Sequence, residues 1–267
     1  ESYMFWLGWI VFAFVAVWTI PAVIALTLKQ LLPYQSGLAT DADAAATAPS
    51  VPRPSVSVIV PARNEEAQIR NALTTLLQST GVEFEVIAVD DRSTDSTGRI
   101  MDEVAAADAR LKVVHITQLP DGWLGKNHAM HVASEEATGE LLLFTDGDII
   151  YEPSAIEIAV RHLVRHKLQH LCLLPKMIPG NVFENAVVTF FGLAFAIGMQ
   201  LHLIRTRWPL SYAGVGAFNL VDATFYRSLG GHKPIAMDIL DDVKLGKMIK
   251  KNGGRIDFQL APKLLSV

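Results

Sequence analysis

A single cysteine, Cys172, is all the thiol chemistry in this 267-residue chain. No internal disulfide can form, so the fold needs no oxidising compartment. Cys172 lies in the apolar run 171–174 and reads as a buried core thiol rather than a nucleophile. Long blocks of Lys or Arg are also missing, and the net charge is -4. Without clustered cations the chain lacks the footprint that phosphate-backbone binding needs, which excludes nucleic acid as its main partner. A Walker A loop is absent, because Lys126 is followed by Asn127 and not by Ser or Thr. The first strand lacks the Gly-rich activating loop expected of a nucleotidyltransferase. Charge is sparse (19%) against an apolar fraction of 51%. Mean hydropathy of +0.30 then points to a membrane contribution.

That contribution has an obvious place. Residues 3–28 read YMFWLGWIVFAFVAVWTIPAVIALTL, without a charge, and about 18 apolar residues suffice to span a bilayer. We therefore expect residues 1–32 to be an N-terminal transmembrane anchor, with Trp6, Trp9 and Trp18 available as interfacial anchors. Lys29 after the span and Glu1 before it place the remainder in the cytoplasm, at the inner or plasma membrane. A cleaved signal peptide fits less well, since it would need a basic start and a shorter apolar run. Residues 33–54, rich in Ala, Pro and small polar residues, read as a flexible linker. A catalytic domain is expected over 55–267. A chain beginning at Glu1 and stopping after Val267 is expected to be part of a longer one, with room for more membrane spans beyond its end.

From residue 55 strand and helix patterns alternate. Strands are expected at 56–60, 85–89, 113–116 and 141–144. The helix after the first strand takes Asn64 as cap, Glu65 and Glu66 in its first turn, and Ile69, Leu73, Leu76 and Leu77 as its apolar stripe. A second helix starts near Ser93 to Thr97, with Ile100 and Val104 inward. A third covers 127–137 and ends at Gly139. Another opens at Pro153. This order implies right-handed βαβ crossovers: an α/β, Rossmann-like, three-layer domain around a mostly parallel sheet. Ligands then bind beyond the carboxyl ends of the strands.

The acidic residues fall there. Asp146 and Asp148, separated by Gly147, follow the fourth strand, and two carboxylates so spaced can turn toward one hard cation, magnesium or manganese. The same residues also suit an ordinary turn. Asp90 and Asp91 follow the second strand, where a carboxylate can accept from a nucleoside base or ribose. Ser93, Thr94 and Asp95 read as helix caps. Lys126, flanked by Gly125 at a helix start, suits a phosphate, although an exposed loop lysine would look the same. Asp241 and Asp242 begin a helix stopped by Gly253 and Gly254; they serve as caps or, close to a donor, as a base. His162, His166 and His170 tempt a metal reading, but with Arg161, Arg165 and Lys167 they are read as a solvated face. The apolar stretch 183–204 carries Glu184, Gln200 and His202, and is expected to lie in the membrane interface or roof an acceptor site.

Taken together, VSVIVPARNEE (56–66), VDDRSTDST (89–97), DGWLGKNHAM (121–130), FTDGD (144–148), GVGAFNLVDATFYRSLGG (214–231) and LDDVKLG (240–246) resemble family 2 glycosyltransferases of the GT-A fold, from about residue 55 to the end. GWLGK with an N-terminal anchor is most similar to the branch associated with hopanoid and carotenoid biosynthesis. The resemblance implies a Mn2+- or Mg2+-dependent, inverting transfer from a nucleotide-diphosphate sugar, UDP favoured, to a hydroxyl on a lipid or membrane-associated acceptor. It implies that Pro61, Arg63 and Glu65 border the nucleotide and that Asp91 with Asp90 contacts uracil or ribose. Lys126 would then sit near the diphosphate, Asp146 at ribose, sugar and metal, and Asp148 on the metal. Asp242 would be the general base, with Asp241 in place of the usual Glu. Gly214, Gly216, Asn219 and Asp241 would lie on the acceptor side. The Gln-x-x-Arg-Trp motif of processive synthases is not seen; Arg207-Trp208 lies upstream. A processive synthase and a tethered, inactive sugar-nucleotide binder are the alternatives.

Overall fold

The computed structural model describes Leu38, residues 53–176 and residues 182–267. The expected anchor over 1–32 and nearly all of the linker over 33–54 lie outside the described residues. Among the described residues no helix is long and apolar enough to cross a membrane.

Strand β1 (Val56–Ala62) is buried along its whole length and pairs in parallel with β2 (Phe84–Asp91) on one side and β4 (Leu141–Phe144) on the other. Strand β3 (Leu111–Ile116) continues the parallel set beyond β2. On the far side β7 (Asn219–Asp222) runs antiparallel to both β4 and β6 (His170–Leu174), and β8 (Ile256–Leu260) pairs in parallel with β6. The seven-stranded order is β3-β2-β1-β4-β7-β6-β8. The mostly parallel sheet expected from the alternation is present. The antiparallel β7 is an addition that short apolar runs could not announce.

Alternate residues along the strands serve opposite layers, as the two-residue strand period requires. Val58, Val60, Val86 and Leu143 pack with α1 (Ile69–Leu77), α2 (Thr97–Ala105) and α4 (Ala155–Arg165). Ile59, Ile87, Leu142 and Phe144 pack with α3 (Gly125–Glu136), α6 (Ala223–Ser228) and α7 (Asp241–Lys251). Each fully buried side chain of this kind contributes about 1.5–3 kcal/mol. The stripe Ile69, Leu73, Leu76 and Leu77 is buried as expected, and so is Cys172. A two-stranded pair, β5 (Ile150–Tyr151) with β9 (Leu265–Ser266), closes one side.

Several local expectations need correction. Asn64 does not cap α1: it adopts φ 57° and its side-chain oxygen accepts from the Thr94 backbone N–H. Glu65 and Glu66 precede the helix, which starts at Ile69. Ser93 accepts from the Asn64 N–H and Asp95 from those of Glu66 and Thr97, so the post-β1 and post-β2 loops are laced together rather than each capping a helix alone. Gly139 is not a left-handed helix stop; a Cβ there would sit 2.5 Å from the Ser57 backbone nitrogen, so close approach to β1 demands glycine. The solvated histidine face is wrong. His162 and His170 are fully buried: His162 bonds Asp257 at 2.7 Å, and His170, in β6 rather than on α4, bonds Asn219 at 3.0 Å. Their partners lie far away in sequence, and burial leaves His170 a pKa of about 4, hence neutral.

Candidate active site

Parallel register brings the acids level. Ala62 pairs with Asp90 and Ile59 with Phe144, so Asp146, two residues beyond Phe144, stands beside Pro61. The strand ends open onto a cavity of about 430 Å³ lined by Pro61, Arg63, Glu65, Asp91, Gly125, Lys126, Asp146 and Asp148, with Ala62 and Gly147 between them. Four segments distant in sequence thus meet at the carboxyl edge of the sheet. Asp90 is the exception among the expected donor residues. It faces α2, accepting from the Ser93 N–H and meeting His115 at 3.1 Å, and does not line the cavity.

The turn after β4 is braced from below. Tyr151, fully buried, donates its hydroxyl to Thr145 at 2.7 Å, and Thr145 donates to the Ala217 carbonyl at 2.8 Å. This fixes the Asp146-Gly147-Asp148 turn against both β5 and the segment before β7. Tyr151 carried no sequence signal, because its partner is a hydroxyl under a turn.

Charge in the cavity is unbalanced. Lys126 donates to Asp146 at 2.5 Å; burial works against its charge, but Asp146, Asp241 and Asp242 hold its pKa above the ordinary lysine value. Asp148 is pushed up by burial and then by Asp146. Glu65 is pushed up by burial, then by Asp148 and Asp146. Asp91 is already engaged by Arg92, which donates to it through two nitrogens at 2.8 and 3.1 Å. A Cβ at Gly125 would lie 2.3 Å from Asp91 Oδ2, so glycine lets α3 begin against that carboxylate. Among the described residues no three His, Cys, Asp or Glu side chains form a group able to hold a metal unaided. Asp146 and Asp148 therefore fit a hard cation only where a ligand such as a diphosphate supplies further oxygens, the usual situation for magnesium.

Lys126 and Asp146 also line a smaller hollow that reaches Gly216, Asn219, His232, Asp241 and Asp242. Antiparallel β7 starts at this same edge, which brings the segment before it over Asp146: a Cβ at Gly216 would lie 2.5 Å from Asp146 Oδ2. Gly214 is held against α7, where a Cβ would lie 1.8 Å from the Asp242 carbonyl oxygen. Asn219 donates to the Val215 carbonyl at 2.6 Å, tightening that segment. Helix α7 runs away from the edge before β8 enters the sheet, so its first residues, Asp241 and Asp242, face the hollow. Asp242 accepts from the Val243 N–H at 2.7 Å. Asp241 is buried; burial, with Asp242 adding and Lys126 opposing, raises its pKa to about 6.

Two further residues build the site. Asn127, 1% exposed, directs its side-chain amide at the carbonyls of Ile235, Ala236 and Asp238, at 2.8 to 3.1 Å. The Leu124 N–H adds a bond to the Ala236 carbonyl. Together they tie the Lys126 helix start to the strand of chain that leads into Asp241. His232, buried and held neutral with a pKa of about 3, meets the Tyr226 hydroxyl at 2.5 Å beneath the hollow. Asn127 lay inside a noticed motif, but its partners 108 to 111 residues away were invisible.

A model of glycosyl transferase family 2 matches residues 57–229, more than half of the chain. A 4,4'-diaponeurosporenoate glycosyltransferase of Staphylococcus haemolyticus is 27% identical over 201 residues, covering 74% of this chain and 52% of that protein. Its counterpart in Staphylococcus aureus is 28% identical over 195 residues, covering 72% and 50%. The chain thus spans about half the length of these curated relatives. Among solved structures, a mannosyltransferase of Pyrobaculum calidifontis in complex with GDP-Man and Mn2+ superposes with a TM-score of 0.61 at 21% identity, over 93% of this chain and 64% of that one. A fragment of S. aureus TarS in complex with UDP-GlcNAc gives 0.56 at 22% identity, over 80% and 58%. At such identities the likeness is one of fold.

Proposed function

The chain belongs to glycosyl transferase family 2, and from that premise we propose that it transfers a sugar from a nucleotide-diphosphate donor to a lipid acceptor at a membrane. The observation that carries this reading is the meeting of Glu65, Asp91, Lys126, Asp146 and Asp148 around one cavity that joins, through Lys126 and Asp146, the hollow holding Asp241 and Asp242.

The larger cavity takes the donor. Pro61, Arg63, Glu65 and Asp91 border the nucleoside, with uridine favoured by resemblance. Lys126 meets the diphosphate, offering a cation whose charge the surrounding acids secure. Asp146 and Asp148 would hold Mn2+ or Mg2+, and a cation there would supply charge stabilisation for the departing diphosphate. Asp91, oriented by Arg92, accepts from the base or the ribose. The fold around Asp90 directs it to a supporting role on α2.

The smaller hollow is the acceptor side, bordered by Gly216, Asn219 and Asp241, with Gly214 against the Asp242 backbone. Asp242 takes the proton of an acceptor hydroxyl, whose oxygen attacks the anomeric carbon from the face opposite the diphosphate; the C–O bond to the diphosphate breaks, and the configuration inverts. Asp241, with its pKa near 6, carries part of the local proton inventory without being the base. Helix α5 (Val182–Gly198) leaves Phe190 and Phe191, each 66% exposed, and Ile197, 55% exposed, in the open; we read it as the part of 183–204 that enters the membrane interface and presents lipid.

The curated relatives favour one variation. They are named for 4,4'-diaponeurosporenoate, a carboxylate, and a carboxylate acceptor arrives already ionised and needs no general base. A screen of labelled UDP- and GDP-sugars with membrane lipids, with and without Mn2+, tests the reading. With a hydroxyl acceptor, Asp242→Asn lowers turnover by about 10²–10⁴-fold with donor binding kept; with a carboxylate acceptor that loss disappears. Absence of transfer from every donor to every lipid would remove the proposal.

A further inference from the structure

The opposite edge of the sheet holds a second cavity, of about 730 Å³, lined by Arg205, Arg207, Lys250, Lys251 and Arg255. It lies at the far end of α7 from Asp242. Lys250 lies eight positions beyond Asp242, and at 1.5 Å per residue this is about 12 Å along the axis. Beside it, β8 enters the sheet. The proposed transfer reaction makes no use of this cavity.

Of its cations, Arg205 alone is paired with a carboxylate among the described residues. Arg205 pairs with the buried Asp257, at 2.6 and 2.9 Å. No carboxylate among the described residues pairs with Arg207, Lys251 or Arg255, and all three are exposed. Lys250 is 7% exposed and donates to the carbonyls of Ile204 and Thr206, each at 2.6 Å. An ammonium has three donors, so one remains for a ligand. Four cations from two chain segments therefore border one hollow with no anion of their own. The basic residues in the last turn of α7 also complement the helix dipole, but Arg207 and Arg255 lie outside that helix.

The rim is apolar. Trp208, 47% exposed, and Leu210, 56% exposed, alternate with the lining residues Arg207 and Pro209. The Trp208 indole N–H donates to Gln200 at 2.7 Å, fixing the ring beside the end of α5, whose Ile197 is also exposed. A basic hollow edged by tryptophan and aliphatic side chains has the layout of a membrane-interface site, with charge at headgroup depth and apolar groups beyond it.

We propose that this cavity binds the phosphate of an anionic phospholipid headgroup and so seats the domain on the membrane, with Trp208 and Leu210 entering the interface alongside α5. This rests on the membrane placement of α5 proposed above, and not on the transfer chemistry.

The test uses the full chain in an uncharged detergent, titrated with phosphatidylglycerol and in parallel with phosphatidylcholine, with bound lipid counted by native mass spectrometry. Phosphatidylglycerol is retained in preference. The triple variant Arg207→Ala, Lys251→Ala, Arg255→Ala loses that preference by roughly fivefold per cation, on the order of a hundredfold in all. A variant with the same charge change elsewhere, Arg70→Ala, Arg99→Ala, Lys112→Ala, keeps it. Any apolar N-terminal span is common to all three proteins and cancels. Undiminished preference in the cavity variant, or equal loss in the charge-matched one, overturns the proposal. So does calorimetric binding of inorganic phosphate to the wild-type cavity without discrimination between the two lipids, which would assign it to a soluble anion. Sugar transfer followed in the same samples survives in the cavity variant; failure of transfer in the wild type would count against the catalytic reading alone.

Discussion

Replacing Asp241 with asparagine removes a charge that the fold holds against its burial. The side chain belongs to a residue 8% exposed, and burial, opposed by Lys126 and reinforced by Asp242, raises its pKa from 3.8 to about 6. Between those values the native state binds more protons than the unfolded chain, so stability falls as pH rises through that window and the penalty is complete above it. Two pKa units correspond to about 3 kcal/mol. Asparagine keeps the shape and cannot ionise. The variant is therefore expected to exceed the wild type in stability by up to about 3 kcal/mol above pH 7, a rise in Tm of roughly 6–12 °C for a domain of this size. The advantage should shrink on acidification and vanish near pH 4, where the wild-type carboxyl is protonated when folded. Thermal unfolding followed by circular dichroism across that pH range, in matched buffers, measures it. A Tm difference that does not change with pH would refute the reasoning, because ionisation would then not be its source.

Other outcomes follow from the same geometry. Lys126→Gln removes the cation that donates to Asp146 and should lower kcat/KM by about 10–100-fold, the worth of a charge-assisted hydrogen bond, with little change in Tm. Asn127→Ala removes the amide that donates to the carbonyls of Ile235, Ala236 and Asp238 and should cost about 2 kcal/mol; it should also raise KM for the donor, since the tie between Lys126 and the Asp241 segment is reduced to the Leu124 N–H, and urea unfolding with donor titration measures both. Gly246→Ala places a Cβ 1.8 Å from the Ala213 carbonyl oxygen and should destabilise by at least about 1–3 kcal/mol, read from the urea midpoint.

What the sequence made readable was periodic or local. The apolar run 141–144 and the β-branched run from Val56 announced buried strands, and the stripe from Ile69 to Leu77 announced its helix. Their alternation was enough to place Asp91 and Asp146 at one edge, because parallel strands put their carboxyl ends on the same side. What escaped depended on partners distant along the chain. His162 looked solvated beside Arg161 and Arg165, yet Asp257, 95 residues on, draws it inside. Asp90 and Asp91 are neighbours, and the two-residue strand period alone sends one to the cavity and the other to α2. Gly139 read as a helix stop and Gly214 and Gly216 as motif letters, whereas each is glycine because another chain segment passes within reach of its missing Cβ. The basic cavity was invisible for the same reason: Arg207 and Arg255 are unremarkable until the fold sets them beside Lys251.

The proposed transfer requires a diphosphate held where β2 and β4 end and α3 begins. Titration of the full chain with UDP and GDP, with and without Mn2+, in the wild type and in Asp148→Ala, tests that most directly. The expected result is binding of one of the two nucleotides that requires the cation and weakens by at least about tenfold in the variant. Binding of equal strength in both proteins, indifferent to Mn2+, would contradict it.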